Sequence, residues 1–115
     1  MEIFRLLDFS LTVSFYRILD FKAWRSGFYI KIQITLSNNT YLYAREYSDD
    51  TDRKYSFHWQ NKNGALISRW DNSPHHKHIK TFPHHKHENE SVVESFDISL
   101  KDVIGYIEGC INAEQ

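Results

Sequence analysis

The sequence predicts an α+β domain: a curved antiparallel meander sheet of about five strands, a long His-rich loop, and a C-terminal helix packed on the sheet. Three observations support this class. Apolar and polar residues alternate in several short segments, turn residues separate these segments, and the last segment instead carries apolar residues at helical spacing. An aromatic fraction of 16% also favours strands, in which large flat side chains pack well. The 115 residues are expected to form one domain, since this length suffices for a single modest core.

The predicted strands follow one another with turn signals between them. Alternation with a period of two predicts strands in five segments, residues 11–23, 28–36, 40–47, 54–60 and 65–70. Asn38-Asn39 and Asn63-Gly64 supply hairpin turns, because asparagine and glycine tolerate positive φ. Residues 2–8 show helix-like spacing of apolar residues, although the segment is short. The order of strands and turns predicts a meander.

Residues 71–98 have no clear periodicity and are predicted to form the His-rich loop. Pro74 and Pro83 argue against a regular central strand or helix in this region. An irregular stretch of this length inside a small domain is usually functional or disordered, and its histidines and Phe82 favour an ordered, functional loop.

The C-terminal helix is predicted at residues 99–113. Ser99 and Asp102 stand three positions apart, as in a capping box. One apolar stripe would lie across the sheet, formed by Leu100, Val103, Ile104, Ile107 and Ile111. Gly105 and Gly109 each cost about 1 kcal/mol relative to alanine in a helix interior. We therefore expect them to permit a close approach of the helix to the sheet.

A doubled histidine element is the most unusual feature of the chain. Residues 74–78 and 83–87 both read Pro-His-His-Lys-His, so that six of the seven histidines lie close together, interleaved with lysines. The unperturbed pKa of histidine lies near working pH, which suits proton transfer or metal binding. Lys77, Lys80 and Lys86 are the only charged residues of residues 74–87, whereas residues 88–115 are strongly acidic. The sequence thus predicts a local basic patch beside an acidic tail.

The remaining composition bounds the protein class. Cys110 is the single cysteine, which excludes an internal disulfide and fits a reducing cytoplasm. Residues 1–9 carry charges that a signal peptide would lack, and no apolar run approaches the roughly 20 residues that span a membrane. We therefore expect a cytoplasmic protein with no membrane partner. A net charge of -1 excludes global electrostatic attraction to nucleic acid.

Three linked motifs carry a family resemblance, and they stand at residues 55–60 (YSFHWQ), 69–76 (RWDNSPHH) and 81–87 (TFPHHKH). Together with Arg45-Glu46-Tyr47, they resemble the TumE-type toxins of bacterial and archaeal toxin–antitoxin pairs, over residues 13–111. The resemblance implies a small cytoplasmic toxin that is neutralised by a co-expressed antitoxin with a helix-turn-helix DNA-binding region. It does not supply the catalytic residues. The oligomeric state stays open, with a homodimer as one option.

The leading hypothesis from the residue types is a metal-independent endoribonuclease. Cleavage of RNA through its 2′-hydroxyl needs a base, an acid and cationic stabilisation of the transition state. The residues that we assign to catalysis are His58, His76, His84, His85 and Glu46. Those that we assign to substrate binding are Arg45, Tyr47, Arg69, Lys77 and Lys86. Arginine suits bidentate phosphate contact, and tyrosine offers a surface on which bases stack.

Two residues carry distinct arguments. His58 lies on the polar face of a predicted strand, and strands hold side chains more rigidly than loops do. The phase of Glu46 points inward with the apolar residues of its strand, so this carboxylate needs a partner or else marks a site.

Two alternatives remain beside the ribonuclease. The loop histidines, with Asp71 and Glu46, could bind a metal, since imidazole suits zinc, copper, nickel or iron. Their spacing matches no established metal motif, and adjacent histidines on an extended loop point apart, so we predict no native metal and no cofactor. The other alternative is a non-catalytic module whose His-rich loop recognises a protein or nucleic-acid target.

Overall fold

A computed structural model describes residues 1–114. Its two helices are α1 (Glu2–Phe9) and α2 (Leu100–Ala113). Its seven strands are β1 (Val13–Trp24), β2 (Gly27–Leu36), β3 (Tyr41–Ser48), β4 (Arg53–Gln60), β5 (Leu66–Asp71), β6 (His85–Glu88) and β7 (Ser91–Glu94). All strands pair antiparallel in one sheet, in the order in which they occur along the chain. The predicted α+β class and meander are confirmed.

The prediction of an irregular loop throughout residues 71–98 was wrong in part. Strands β6 and β7 lie within this range and extend the sheet from the five predicted strands to seven. Pro83 precedes β6, so its missing N–H is not required by the ladder. The two residues between the strands, Asn89 and Glu90, both have positive φ, of 51° and 64°, as a tight hairpin turn requires. Strand β6 alternates histidines with Lys86 and Glu88, and this alternation lacks the apolar residues that reveal a strand in sequence.

The hydrophobic core lies between one face of the sheet and α2. Apolar side chains from β2 to β5 cover this helix face of the sheet, including Ile30, Ile32, Leu42, Phe57 and Trp70. Leu7 of α1 closes one part of the same core. The opposite face of the sheet, which we term the open face, carries mainly polar and charged residues.

Helix α2 confirms the predicted capping box and apolar stripe. Ser99 accepts a hydrogen bond from the backbone N–H of Asp102, whose carboxylate accepts from the backbone N–H of Ser99. The expected close approach at Gly105 and Gly109 was wrong. Both glycines are exposed, and a Cβ built on either would meet no described heavy atom within 4 Å outside the helix's own backbone. Their cost to the helix is therefore not offset by packing against the sheet.

Gly27 is the glycine that packing requires. It begins β2, and a Cβ at this position would lie 1.9 Å from the backbone carbonyl oxygen of Ser48. Only the missing side chain lets the β1–β2 turn approach the end of β3 this closely.

Strand β1 forms one edge of the sheet and exposes several large apolar side chains. Phe15 is 59% exposed, and Ile18, Leu19 and Trp24 are each at least 40% exposed. An apolar edge strand presents unpaired backbone N–H and C=O groups together with exposed apolar side chains, and these features are typical of protein-binding surfaces.

Candidate functional site

The open face gathers the polar side chains of five strands into two adjacent rows. The first row crosses β2 to β6 through Lys31, Arg45, Ser56, Asp71 and His85. The second row follows the same strands through Gln33, Tyr43, His58, Arg69 and His87. Both rows arise from the same phase of the alternating strands, and they bring His58 together with Arg45 and Arg69.

A chain of polar contacts links His58 to Asp71. The Nη1 atom of Arg69 lies 3.3 Å from Nδ1 of His58, and Nε of Arg69 donates to Oδ2 of Asp71 at 3.1 Å. Because arginine only donates, Nδ1 of His58 accepts this bond and the ring proton lies on Nε2. Burial first, and then the charge of Arg69, hold the pKa of His58 below its ordinary value, so the imidazole is neutral at neutral pH.

Asp71 is a buried carboxylate with several hydrogen-bond donors. Its Oδ1 accepts from the backbone N–H and the hydroxyl of Ser73 at 3.0 and 2.8 Å. Burial raises the pKa of Asp71, but the bonds from Ser73, the charge of His85 and the bond from Arg69 together outweigh it and hold the pKa below its ordinary value. Asp71 is therefore a fixed negative charge between Arg69 and the histidines.

Three histidines cluster beside Asp71. His85 is fully buried, its Nε2 lying 2.9 Å from Oδ1 of Asp71 and 3.1 Å from Nε2 of His87. The ring centroid of His76, from the loop before β6, lies 4.6 Å from that of His85 and 5.5 Å from that of His87. Burial lowers the pKa of His87, against the opposing charge of Asp71. The predicted site residues His76 and His85 thus belong to one cluster.

A pocket of about 790 Å³ opens beside the two rows. Arg45, Arg69 and Tyr47 line it, as does Tyr29, whose hydroxyl accepts from Nε of Arg45 at 3.1 Å. A second pocket of about 360 Å³ adjoins it, contains His58, and shares Arg45, Ser56 and Arg69 with the first. Cationic groups and tyrosine rings therefore line a continuous depression that leads to His58.

The structure separates two predicted site residues from this depression. Glu46 lies on the helix face, where its Oε2 accepts from Nε of Arg53 at 3.2 Å, so its inward carboxylate has a structural partner. Lys86 also lies on the helix face, with its Nζ 2.6 Å from Oε2 of Glu88 and 4.2 Å from the ring centroid of Tyr106. Neither residue is brought together with His58.

The other predicted residues lie around the first pocket or on its loop. His84 lines the pocket and stacks on Tyr55, with its Nδ1 2.8 Å from the Tyr55 hydroxyl. Burial raises the pKa of Tyr55 to about 12, so this hydroxyl keeps its proton. Tyr47 donates its hydroxyl proton to Asp49. Lys77 is exposed on the loop beside His76.

The sequence prediction missed four contributors to this surface: Tyr29, Lys31, Tyr43 and Ser56. Each occupies a polar phase of a predicted strand, so the signal was present in the alternation. To see that these residues are neighbours, one also needs the register of strand pairing, which places residues that are distant in the chain side by side.

An antiparallel sheet that buries one face under a helix and exposes a cationic, His-rich depression on the other defines a small α+β protein with one polar face. The family model described as Toxin TumE matches residues 3–111, and the chain belongs to this toxin family. It is therefore the toxin component of a toxin–antitoxin system, and an antitoxin is its implied partner. Searches of curated proteins and of solved structures returned no match. Within residues 1–114, neither helix has the length and apolar character needed to cross a membrane.

Proposed function

We propose that this toxin is a metal-independent endoribonuclease that uses His58 as its general base. The single observation that carries the proposal is the position of His58 on the open face, 3.3 Å from Arg69 and in the pocket that also contains Arg45. A neutral imidazole beside two guanidinium groups combines a proton acceptor with the positive charge that a phosphate requires.

The proposed step begins when a phosphate of the RNA backbone enters the depression. Arg69 turns from Nδ1 of His58 toward the phosphate oxygens, and Arg45 binds the same anion. The freed Nδ1 accepts the proton of the adjacent 2′-hydroxyl, and the resulting oxyanion attacks phosphorus. The bond to the 5′-oxygen breaks, and this oxygen takes a proton from a water molecule, whose hydroxide then takes the proton that His58 holds. The products are a 2′,3′-cyclic phosphate and a free 5′-hydroxyl, with no redox change.

The tyrosines support binding of single-stranded RNA. Tyr29 and Tyr47 line the first pocket next to Arg45, and an aromatic side chain that stacks on a base contributes about 1 to 3 kcal/mol. His84 lines the same pocket and is the candidate for donating the proton to the leaving oxygen in place of water. Glu46 and Lys86 take no part, because their partners hold them on the helix face.

Cleavage of a defined RNA tests this proposal. Tag-free protein is incubated with a labelled single-stranded RNA and with DNA of the same sequence, with EDTA added for the minutes of the assay. We expect cleavage of the RNA alone, cyclic phosphate ends, and a loss of about 10² to 10⁴ in rate for His58→Ala. His75→Ala is the matched control, because His75 is an exposed loop histidine outside both pockets. Cleavage by His58→Ala at the wild-type rate, or cleavage of the DNA, refutes the proposed base.

The second candidate is a non-catalytic toxin that binds RNA or a protein on the open face. The observation that favours it is that the bond between His58 and Arg69 occupies the basic nitrogen. RNA binding without cleavage, weakened by Arg45→Ala, would support this candidate.

The proposed partner is an antitoxin with a helix-turn-helix DNA-binding region, in the cytoplasm where both RNA and reduced Cys110 are found. The exposed apolar edge strand β1 supports contact with a protein, either the antitoxin or a second copy of the toxin. Co-purification with the product of the neighbouring gene, followed by a measurement of mass in solution, tests both.

A further inference from the structure

Three side chains on the open face point their polar atoms at one place. Nε2 of His85 lies 2.9 Å from Oδ1 of Asp71 and 3.1 Å from Nε2 of His87, which lies 3.5 Å from Oδ2 of Asp71. His76 brings a third imidazole nitrogen, and the ligating atoms of the three histidines all lie within 4.8 Å of one another. Three imidazoles and one carboxylate therefore converge on one place.

The hydrogen bond on the far side of His85 fixes which ring nitrogen carries a proton and which one faces Asp71. Its Nδ1 lies 2.9 Å from the backbone carbonyl oxygen of Pro83, which can only accept, so Nδ1 carries the ring proton. In the neutral ring, Nε2 then has a lone pair that faces a carboxylate oxygen of Asp71. Two electron-rich atoms at this distance repel each other unless a proton or a metal ion lies between them.

We propose that Asp71, His76, His85 and His87 bind one divalent transition-metal ion of the zinc class. Ligand atoms placed about 2.0 to 2.1 Å from zinc at the corners of a tetrahedron are about 3.3 Å apart. Nε2 of His85 lies close to this distance from Nε2 of His87, at 3.1 Å, and from Oδ1 of Asp71, at 2.9 Å, and the ligating nitrogen of His76 lies within 4.8 Å of those of His85 and His87. The bond from His85 to Pro83 is the outer-shell contact that typically orients a metal-binding imidazole. Imidazole nitrogen with a carboxylate favours zinc over magnesium or calcium, which prefer oxygen alone.

With Asp71 as the fourth ligand beside the three histidines, the site has the ligand count of a structural site. Structural zinc sites use four protein ligands, whereas catalytic sites keep one position open. Asp71 ends β5, His85 and His87 lie on β6, and His76 belongs to the loop between these strands, so the ion fastens this loop to the sheet. Through Asp71 it also fixes Arg69, which contacts His58. The proposed ribonuclease step does not involve the ion, so the two proposals fail independently.

Metal titration of tag-free protein tests the site. The protein is unfolded in urea with EDTA, refolded without metal, and titrated with Zn²⁺ and with Co²⁺, whose visible absorption reports tetrahedral coordination. We expect one equivalent of either ion and a Tm that rises by on the order of 10 °C at 100-fold excess over Kd. His76→Ala and His87→Ala should each weaken binding by about 100-fold or more. These residues are only partly buried, so their loss threatens folding less than loss of His85 would.

Matched controls separate this site from adventitious binding by the other histidines. His75→Ala removes an exposed imidazole of the same loop, and we expect the Kd for Zn²⁺ to change by less than about twofold. His58→Ala should retain the ion while losing RNA cleavage. The proposal is overturned if the refolded wild type binds no stoichiometric ion, if His87→Ala binds as tightly as the wild type, or if the controls lose the ion instead. Absence of binding would mean that a proton on His85 neutralises Asp71.

Discussion

Replacing Arg53 with methionine should destabilise the fold substantially, because this one side chain joins three parts of the helix face. Its Nε donates to Glu46 at 3.2 Å, its Nη1 pairs with Asp97, and its Nη2 donates to the backbone carbonyl of Ile98 at 2.8 Å. These contacts connect β3 and β4 with the segment that leads into α2. Methionine retains much of the apolar stem and removes the charge.

The size of the expected loss in the free energy of unfolding follows from how deeply the partners of Arg53 are buried. The Glu46 side chain is only 13% exposed, so its carboxylate would lose a charged hydrogen bond of about 1.5 to 3 kcal/mol with little access to water. Asp97 is 65% exposed and its pair contributes about 0 to 1 kcal/mol. The cation–π contact with Tyr55 adds about 0.5 to 1 kcal/mol. We therefore expect Arg53→Met to lower the free energy of unfolding by about 3 kcal/mol.

Urea unfolding at constant m-value measures this loss. Arg5→Met is the matched control, because Arg5 pairs with Glu2 at 4.0 Å on an exposed helix surface and should change stability by less than about 0.5 kcal/mol. Arg53→Met combined with Glu46→Gln should lose less than the sum of the single variants, since neutral glutamine leaves no unpaired charge. A loss for Arg53→Met as small as that for Arg5→Met would refute the reasoning.

Three further predictions rest on individual side chains. Because the pKa of His58 is lowered, kcat/KM should stay constant from mildly alkaline pH down to about the ordinary pKa of 6.5 and fall only at lower pH, as the ring gains its proton. Arg69→Met removes a nearby positive charge and should move this fall in kcat/KM to higher pH. A fall at the same pH as in the wild type would contradict the assignment of His58 as the base. Gly27→Ala should destabilise the fold by about 1 to 3 kcal/mol or more, because the added Cβ clashes with a backbone carbonyl. Gly105→Ala should stabilise the fold by about 1 kcal/mol, because alanine favours the helix and its Cβ meets no neighbour. Thermal unfolding of both variants checks that the two changes in stability have opposite signs. Glu46→Gln should leave RNA cleavage within about twofold of wild type, because Glu46 faces the helix.

The fold was predictable wherever burial imposes an apolar pattern. Apolar and polar residues alternate along β2 because one face of the strand packs against the core. Helix α2 is recognisable in the sequence from its apolar stripe and from the capping box at Ser99. Strand β6 could not be found in this way. Its helix face is formed by Lys86 and Glu88, which pair with each other, and the ammonium of Lys86 lies over the rings of Trp70 and Tyr106.

The candidate site was predictable as a set of residue types and not as a set of neighbours. His58, Arg45 and Arg69 shared the polar phase of their predicted strands, so their common face followed from the alternation. The proposed metal-binding cluster did not follow, because its ligands are separated irregularly in sequence and become adjacent only through the pairing of Asp71 with His85. The inward phase of Glu46 was identified correctly, but its partner Arg53 depends on that same register.

The two identical Pro-His-His-Lys-His segments contribute to the proposed site under unequal constraints. The second segment ends in β6, where the pleat sends His85 and His87 to one face, so their separation by two cannot change without turning one imidazole toward α2. The first contributes His76 from a loop, and no pleat limits the number of residues between His76 and β6. Chains that share this site should therefore preserve the His-x-His pair strictly while differing in the length of the segment before it.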